Sequence, residues 1–278
     1  MIVLKSSGNH AWPWSDAGDE AEETFRRTYP SLYGHMKPLE DRLRKRQDKG
    51  RYWWELRASA YYDAFERPKI MYQEIQFHPQ YGFDTERVLT NNKVFFLPSA
   101  DFWLSAVLNS PLMWWHNWKH LPHMKDEALS PVAVLMENLP IAPPMDEARA
   151  EAEEASKRLI EIAKAEHEAR RDVLDWLRVE FGVEKPGQKL ENFAALDSDV
   201  FVEEVRKRRP KGDGRLTPTA LKDLRAGYVE QATPVREGRV EAANLERRLS
   251  ELVNISYGLT PEEIELLWTS AQPLMPKF

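Results

Sequence analysis

The chain has no cysteine, which excludes a disulfide framework and thiolate metal sites. It has no long apolar run, and with 30% of its residues charged a membrane-spanning helix is not expected. The start, Met1-Ile2-Val3-Leu4-Lys5, lacks the apolar stretch of a secretory signal, so a cytoplasmic protein is the simplest expectation. No GxGxxG turn and no GxxxxGK(S/T) loop is present to cradle phosphates. Nuclease chemistry calls for clustered carboxylates with a lysine, and Glu74-Ile75-Gln76 lacks the companion lysine. Read alone, the chain is catalytically empty.

What is present is aromatic and locally basic. Of 278 residues, 42% are hydrophobic and ten are tryptophan, enough core for two modest domains or one elaborated one. The formal net charge of −6 argues against wholesale coating of nucleic acid. Between Arg26 and Arg57, however, ten Lys/Arg stand against four Asp/Glu, and a nucleic-acid module needs a basic face rather than a basic total. The same cluster also reads as a solvated amphipathic helix over Leu39-Glu40-Asp41-Arg42-Leu43.

The stretch Arg51 to Ile75 interleaves Trp53, Trp54, Tyr61, Tyr62 and Tyr72 with Arg51, Arg57, Arg67 and Lys69. Aromatic faces between guanidinium groups suit a surface that meets bases and phosphates. They equally suit a half-buried sheet wall. Both readings stand at this point. Trp114, Trp115 and Trp118, three or four residues apart, read as helical core. His116, His120 and His123 share that spacing and read as capping or packing groups rather than metal ligands.

Tyr52-Trp53-Trp54-Glu55-Leu56-Arg57 and Tyr61-Tyr62-Asp63-Ala64-Phe65-Glu66-Arg67-Pro68-Lys69-Ile70 resemble the TaqI-like C-terminal specificity domain. Thr90-Asn91-Asn92 before Val94-Phe95-Phe96-Leu97, then Ala106-Val107-Leu108-Asn109-Ser110 and Glu137-Asn138-Leu139-Pro140-Ile141, follow in that family's order. These matches span about residues 25–145, and Ile255 to Glu263 resembles the tail of the same enzymes. The resemblance implies the target-recognition part of a type II restriction–modification enzyme that carries an adenine-specific DNA methyltransferase, with endonuclease activity in the parent left open. Implied partners are double-stranded DNA and the parent methyltransferase domain, with no membrane. S-adenosylmethionine would bind to that catalytic domain, which precedes this region in the family, and no cofactor is expected on this chain. Its Pro143-Pro144 follows Ala142 and precedes Met145, so the Asn/Asp-Pro-Pro-aromatic motif that holds a flipped adenine is missing. DNA contacts are expected from Arg44, Lys45, Arg46, Arg51, Arg57, Tyr61, Arg67, Lys69, Asn91 and Asn92. The alternative is a non-catalytic helical protein-interaction scaffold.

The fold class expected is α+β: a mixed small-sheet target-recognition domain over 25–144, then a long antiparallel helical region over 145–278. Residues 1–24, with Gly8, Pro13, Gly18 and an acidic stretch, predict a partly disordered lead-in. Strand-like runs fall at 69–76, 87–90 and 93–98. Ala148, Ala152, Ala155, Leu159, Ile162, Glu166, Ala169, Val173 and Trp176 alternate four and three apart, a heptad seam broken only by Glu166. That predicts a helix over 145–181. Ala242, Leu245, Leu249 and Leu252 repeat the spacing and predict a return helix over 238–256. Between them lies an insertion over 183–236 with a basic knob, Lys207 to Gly212, readable either as a ligand contact or as cations favoured at a helix C-terminus. Thr260-Pro261-Glu262-Glu263 predicts a terminal helix over 261–270.

Overall fold

The structure is a computed structural model and describes residues 2–210, Gly212 and 214–278. The chain divides into two compact units. The first comprises Met1–Lys69, Asp84–Leu89 and Leu97–Ser99. It holds α1 (Ala21–Thr28), α2 (Pro30–Met36) and α3 (Glu40–Arg44). On α1, Ala21 and Phe25 lie one turn apart and turn inward to join Leu4, Trp14, Trp53 and Trp54 in a buried core. The tryptophans at 53 and 54 are therefore wall, not platform.

The lead-in is not loose. Trp14 is fully buried, stacks edge-on against Phe25 and Trp54, and donates its indole N–H to Glu55 Oε1 at 2.8 Å. Glu55, also fully buried, accepts from the Tyr52 backbone N–H at 3.2 Å. A buried acid needs such donors to offset lost hydration. Sequence periodicity does not register this, because the anchor is one aromatic side chain in an irregular segment.

The second unit comprises Ile70–Phe83, Thr90–Phe96 and Ala100–Phe278. Strands β1 (Lys69–Gln73), β2 (Gly82–Asp84) and β3 (Val94–Leu97) form an antiparallel sheet with β1 central. The expected strand at 87–90 does not form, and 82–84 pairs instead. Tyr72 is buried, with its ring against Tyr81 and Phe95. After the sheet, α4 (Phe102–Asn109) is capped by Asp101 and α5 (Pro111–His120) by Ser110. Trp114 is buried and donates to Pro273 O at 2.9 Å. A short α6 follows (Ala133–Met136).

Two long helices dominate this unit: α7 (Asp146–Phe181) and α10 (Pro218–Ser256). Ion pairs Glu151–Arg248, Arg158–Glu241 and Glu166–Arg239 fix them antiparallel. Ala148, Ala152 and Ala155 keep the lower contact close, against Leu249, Leu252 and Val253. Above, the stripe drifts from the strict seam to Val173, Leu177 and Phe181, as a straight 3.6-residue helix does. There it meets α9 (Ser198–Arg208) and the Leu224, Tyr228, Ala232 and Val235 face of α10. Gly182, in the left-handed region at φ 65, ends α7, and α8 (Gly187–Glu191) follows.

The return helix starts at Pro218, capped by Thr217, rather than near 238. Gly227, Pro234 and Gly238 all lie inside this helix. Two of them are contact points: a Cβ on Gly227 would lie 2.8 Å from the Trp176 ring, and one on Gly238 3.2 Å from Ile162. The chain ends with α11 (Pro261–Thr269), opened by a capping box between Thr260 and Glu263. Among the described residues no helix is long and apolar enough to cross a membrane.

Candidate nucleic-acid interface

In the first unit, the end of α3 and the hairpin-like turn after it carry Arg44, Lys45, Arg46 and Arg51. Arg46 faces inward: its Nη2 donates to Trp53 O at 3.1 Å and Glu55 O at 2.8 Å. It braces the aromatic turn and is not a DNA contact of the free-surface kind. Arg44 is half engaged, 2.6 Å from Glu40 and 3.6 Å from Glu22. Burial opposes ionisation of Glu22, yet hydrogen bonds from Lys37, Trp53 and Tyr33 hold its carboxyl below the usual range. Arg51 donates to Ser15 O at 2.9 Å and lies over the Tyr52 ring.

Lys45, Arg57 and Arg67 are exposed, and no hydrogen bond or ion pair holds their side chains among the described residues. Tyr61 is 56% exposed. Beside it Tyr62 donates its hydroxyl to Arg57 O at 3.0 Å, tying the segments of Tyr61 and Arg57 into one local surface. Free guanidinium groups can address guanine edges or phosphates, and a phenol ring can stack on or hydrogen-bond a base.

Lys69 corrects an expectation. It is fully buried, and its ammonium group is paired with the Asp84 carboxylate and donates to Phe65 O at 3.1 Å. It cannot reach a base edge. Asp84 also accepts from the backbone N–H of Glu86 at 2.8 Å and Val88 at 2.9 Å. Burial works against its charge, but these donors hold the carboxyl below the ordinary aspartate value. The result is a turn in place of the expected strand at 87–90. At its tip Arg87 takes φ 58 with its side chain 72% exposed, 3.9 Å from Glu66. A non-glycine residue held in that region points to a constraint worth reading. Arg87 is not among the contacts expected from the sequence. The signal for it is the aspartate three residues before it, at a position able to cap a turn.

Asn91 and Asn92 belong to the second unit and are exposed. Asn91 Oδ1 accepts from Lys93 N at 2.9 Å, shaping the turn into β3, while the Asn92 amide is unengaged among the described residues.

Pro143-Pro144 sits in the connector before α7, where Ala142 O accepts from Trp103 Nε1 at 2.8 Å. His116 and His120 stack with ring centroids 4.3 Å apart, and His123 Nε2 lies 2.7 Å from Trp118 O. Among the described residues no group of three or more His, Cys, Asp or Glu side chains is placed to hold a metal ion.

Residues 33–141 match the family model described as the TaqI-like C-terminal specificity domain, and that stretch is such a domain. Residues 145–253, which cover α7 to most of α10, match a domain of unknown function (DUF8810). Neither the curated proteins nor the solved structures give a match.

Proposed function

We propose, with residues 33–141 a TaqI-like C-terminal specificity domain as premise, that this chain is the DNA target-recognition region of a restriction–modification enzyme. It sets an adenine-specific methyltransferase on one short duplex sequence. The methyl donor S-adenosylmethionine belongs to the methyltransferase domain of that enzyme, which acts in the cytoplasm. The family match carries the reading. The exposed Tyr61, Arg57, Arg67 and Lys45 are consistent with it, as are the amide of Asn92, unengaged among the described residues, and the exposed Arg87. The scaffold alternative loses its main support, because the apolar seams of α7 and α10 cover each other.

The test is selection from a pool of random-sequence duplexes by the purified chain, followed by sequencing of the bound fraction. Enrichment of one short motif is expected, over non-specific binding of order 10⁻⁴–10⁻⁶ M at physiological salt. Binding with no motif enriched would remove the recognition role.

A further inference from the structure

A basic run outside the first unit begins at the end of α9. From Arg206 to Arg225 the sequence carries eight Lys/Arg against two Asp/Glu, in a chain of net charge −6. Lys211 and Asp213 of that run, and so part of the knob at 207–212, lie outside the described residues. Within the run Arg206 pairs with Glu203 and Arg225 with Asp199, whereas Lys207 and Arg208 gather at Glu204, joined by Lys189 from α8. Glu204 is only 5% exposed, and its Oε1 accepts from Lys207 Nζ at 3.0 Å and Lys189 Nζ at 3.2 Å. Arg208 Nε lies 4.0 Å from the other carboxylate oxygen, and its Nη1 donates to Lys185 O at 3.0 Å. The guanidinium lies across Gly187, at φ +68, where any Cβ would come within 2.6 Å of it.

A helix C-terminus attracts cations through its dipole, which accounts for Lys207 and Arg208. It does not account for Lys189, which α8 brings in, or for a buried acid that holds two ammonium groups side by side while their side chains stay 61% and 64% exposed. Three cations on one carboxylate leave an excess positive charge at a single point of the surface. Such a point is complementary to the closely spaced charges of a nucleic-acid backbone.

We propose that Lys189, Lys207 and Arg208, gathered by Glu204, form a phosphate-backbone contact for double-stranded DNA. It is a grip without sequence preference, carried by the helical region in addition to the bases read through the specificity domain. The inference rests on the DNA reading given above. Glu204 is then a positioning residue that also competes with phosphate for the same ammonium groups.

The experiment measures binding of the full chain to a labelled mixed-sequence duplex across a salt series. Lys189→Gln with Lys207→Gln should weaken binding several-fold at low salt. The slope of log affinity against log salt should flatten by about 0.9 for each phosphate that the variant no longer neutralises, and preference among sequences should be unchanged. Glu204→Gln should tighten binding to every duplex, whereas a purely structural cluster would lower the melting temperature and leave DNA affinity as it was. The double lysine variant changes two exposed side chains and decides the matter even where Glu204→Gln fails to fold. Equal slopes for the wild type and the double variant overturn this inference while leaving the recognition reading intact. Absence of duplex binding by the wild type overturns both.

Discussion

The Glu166 carboxylate accepts from Arg239 Nη2 at 2.6 Å across the two long helices. Glu166 is the single polar position in the seam of α7, and its partner stands opposite on α10. Arg239 also donates to Asn192 at 2.8 Å, so one guanidinium links α7, α10 and the turn after α8. The break in the heptad is thereby an interhelical contact rather than a gap.

Both side chains of that pair stay about a third exposed or more, so its net worth is small, about 0.2–1 kcal/mol. Glu166→Leu, which continues the apolar seam, should leave stability within about 1 kcal/mol of the wild type or raise it. Urea unfolding checks this. A loss of more than about 2 kcal/mol would mean the pair is needed for the fold.

Leu249→Asp is the opposite case. Leu249 is buried against the alanine face of α7, and a carboxylate there has no donor, so a cost of several kcal/mol is expected. Thermal unfolding gives the answer directly. An unchanged melting temperature would contradict the packing described.

Arg46 and Lys45, adjacent in sequence, should behave differently. Arg46→Ala strands the Trp53 carbonyl and removes one of the two donors to Glu55 O, which keeps the Gly50 N–H, and should cost about 1.5–3 kcal/mol. Lys45→Gln should leave stability unchanged and weaken duplex binding alone. Paired melting curves and binding isotherms separate the two.

Arg57→Gln tests base reading. Its guanidinium supports no contact in the fold, so the melting temperature should not move. If the side chain reaches a base edge, discrimination at one position of the target should fall by about 1–3 kcal/mol. Loss of affinity for all sequences alike would assign Arg57 to phosphate instead.

Asp84 predicts an acid-sensitive fold. Its carboxyl is held below the ordinary value of 3.8. As pH falls from there through the folded-state value, the unfolded chain holds a proton that the folded chain does not, and stability declines. The contribution is fully present above about pH 4–5 and lost below it. Asp84→Asn should flatten that acid decline while lowering stability at neutral pH, since it leaves the buried Lys69 charge uncompensated. Urea midpoints measured from pH 3 to 7 in both proteins should converge as the pH falls. Parallel curves would refute it.

Legibility from sequence follows the range of the interaction. The antiparallel helical region is readable because its apolar positions recur locally, Ala148 to Trp176 and Ala242 to Leu252. The start of α10 is not, since the seam spacing of Ala242 to Leu252 does not reach back to Pro218, and Gly227 and Gly238 carry no side chain to show that Trp176 and Ile162 pack against them. Lys69 looks like a contact residue because it closes a run in which Arg51, Arg57 and Arg67 are interleaved with aromatic residues. The residue that decides its role, Asp84, is fifteen positions on. The order of the lead-in rests on Trp14 meeting Glu55, forty-one residues away.

The two ion pairs Glu151–Arg248 and Arg158–Glu241 have a bearing on how this molecule can change length. Between these two pairs, seven residues forward along α7 correspond to seven backward along α10. A one-residue insertion in either helix would swing everything beyond it by about 100° and carry charged faces into the seam. Tolerated growth or shrinkage of the arm is therefore quantised. It proceeds in steps of two turns, about 10 Å each, taken by both helices together.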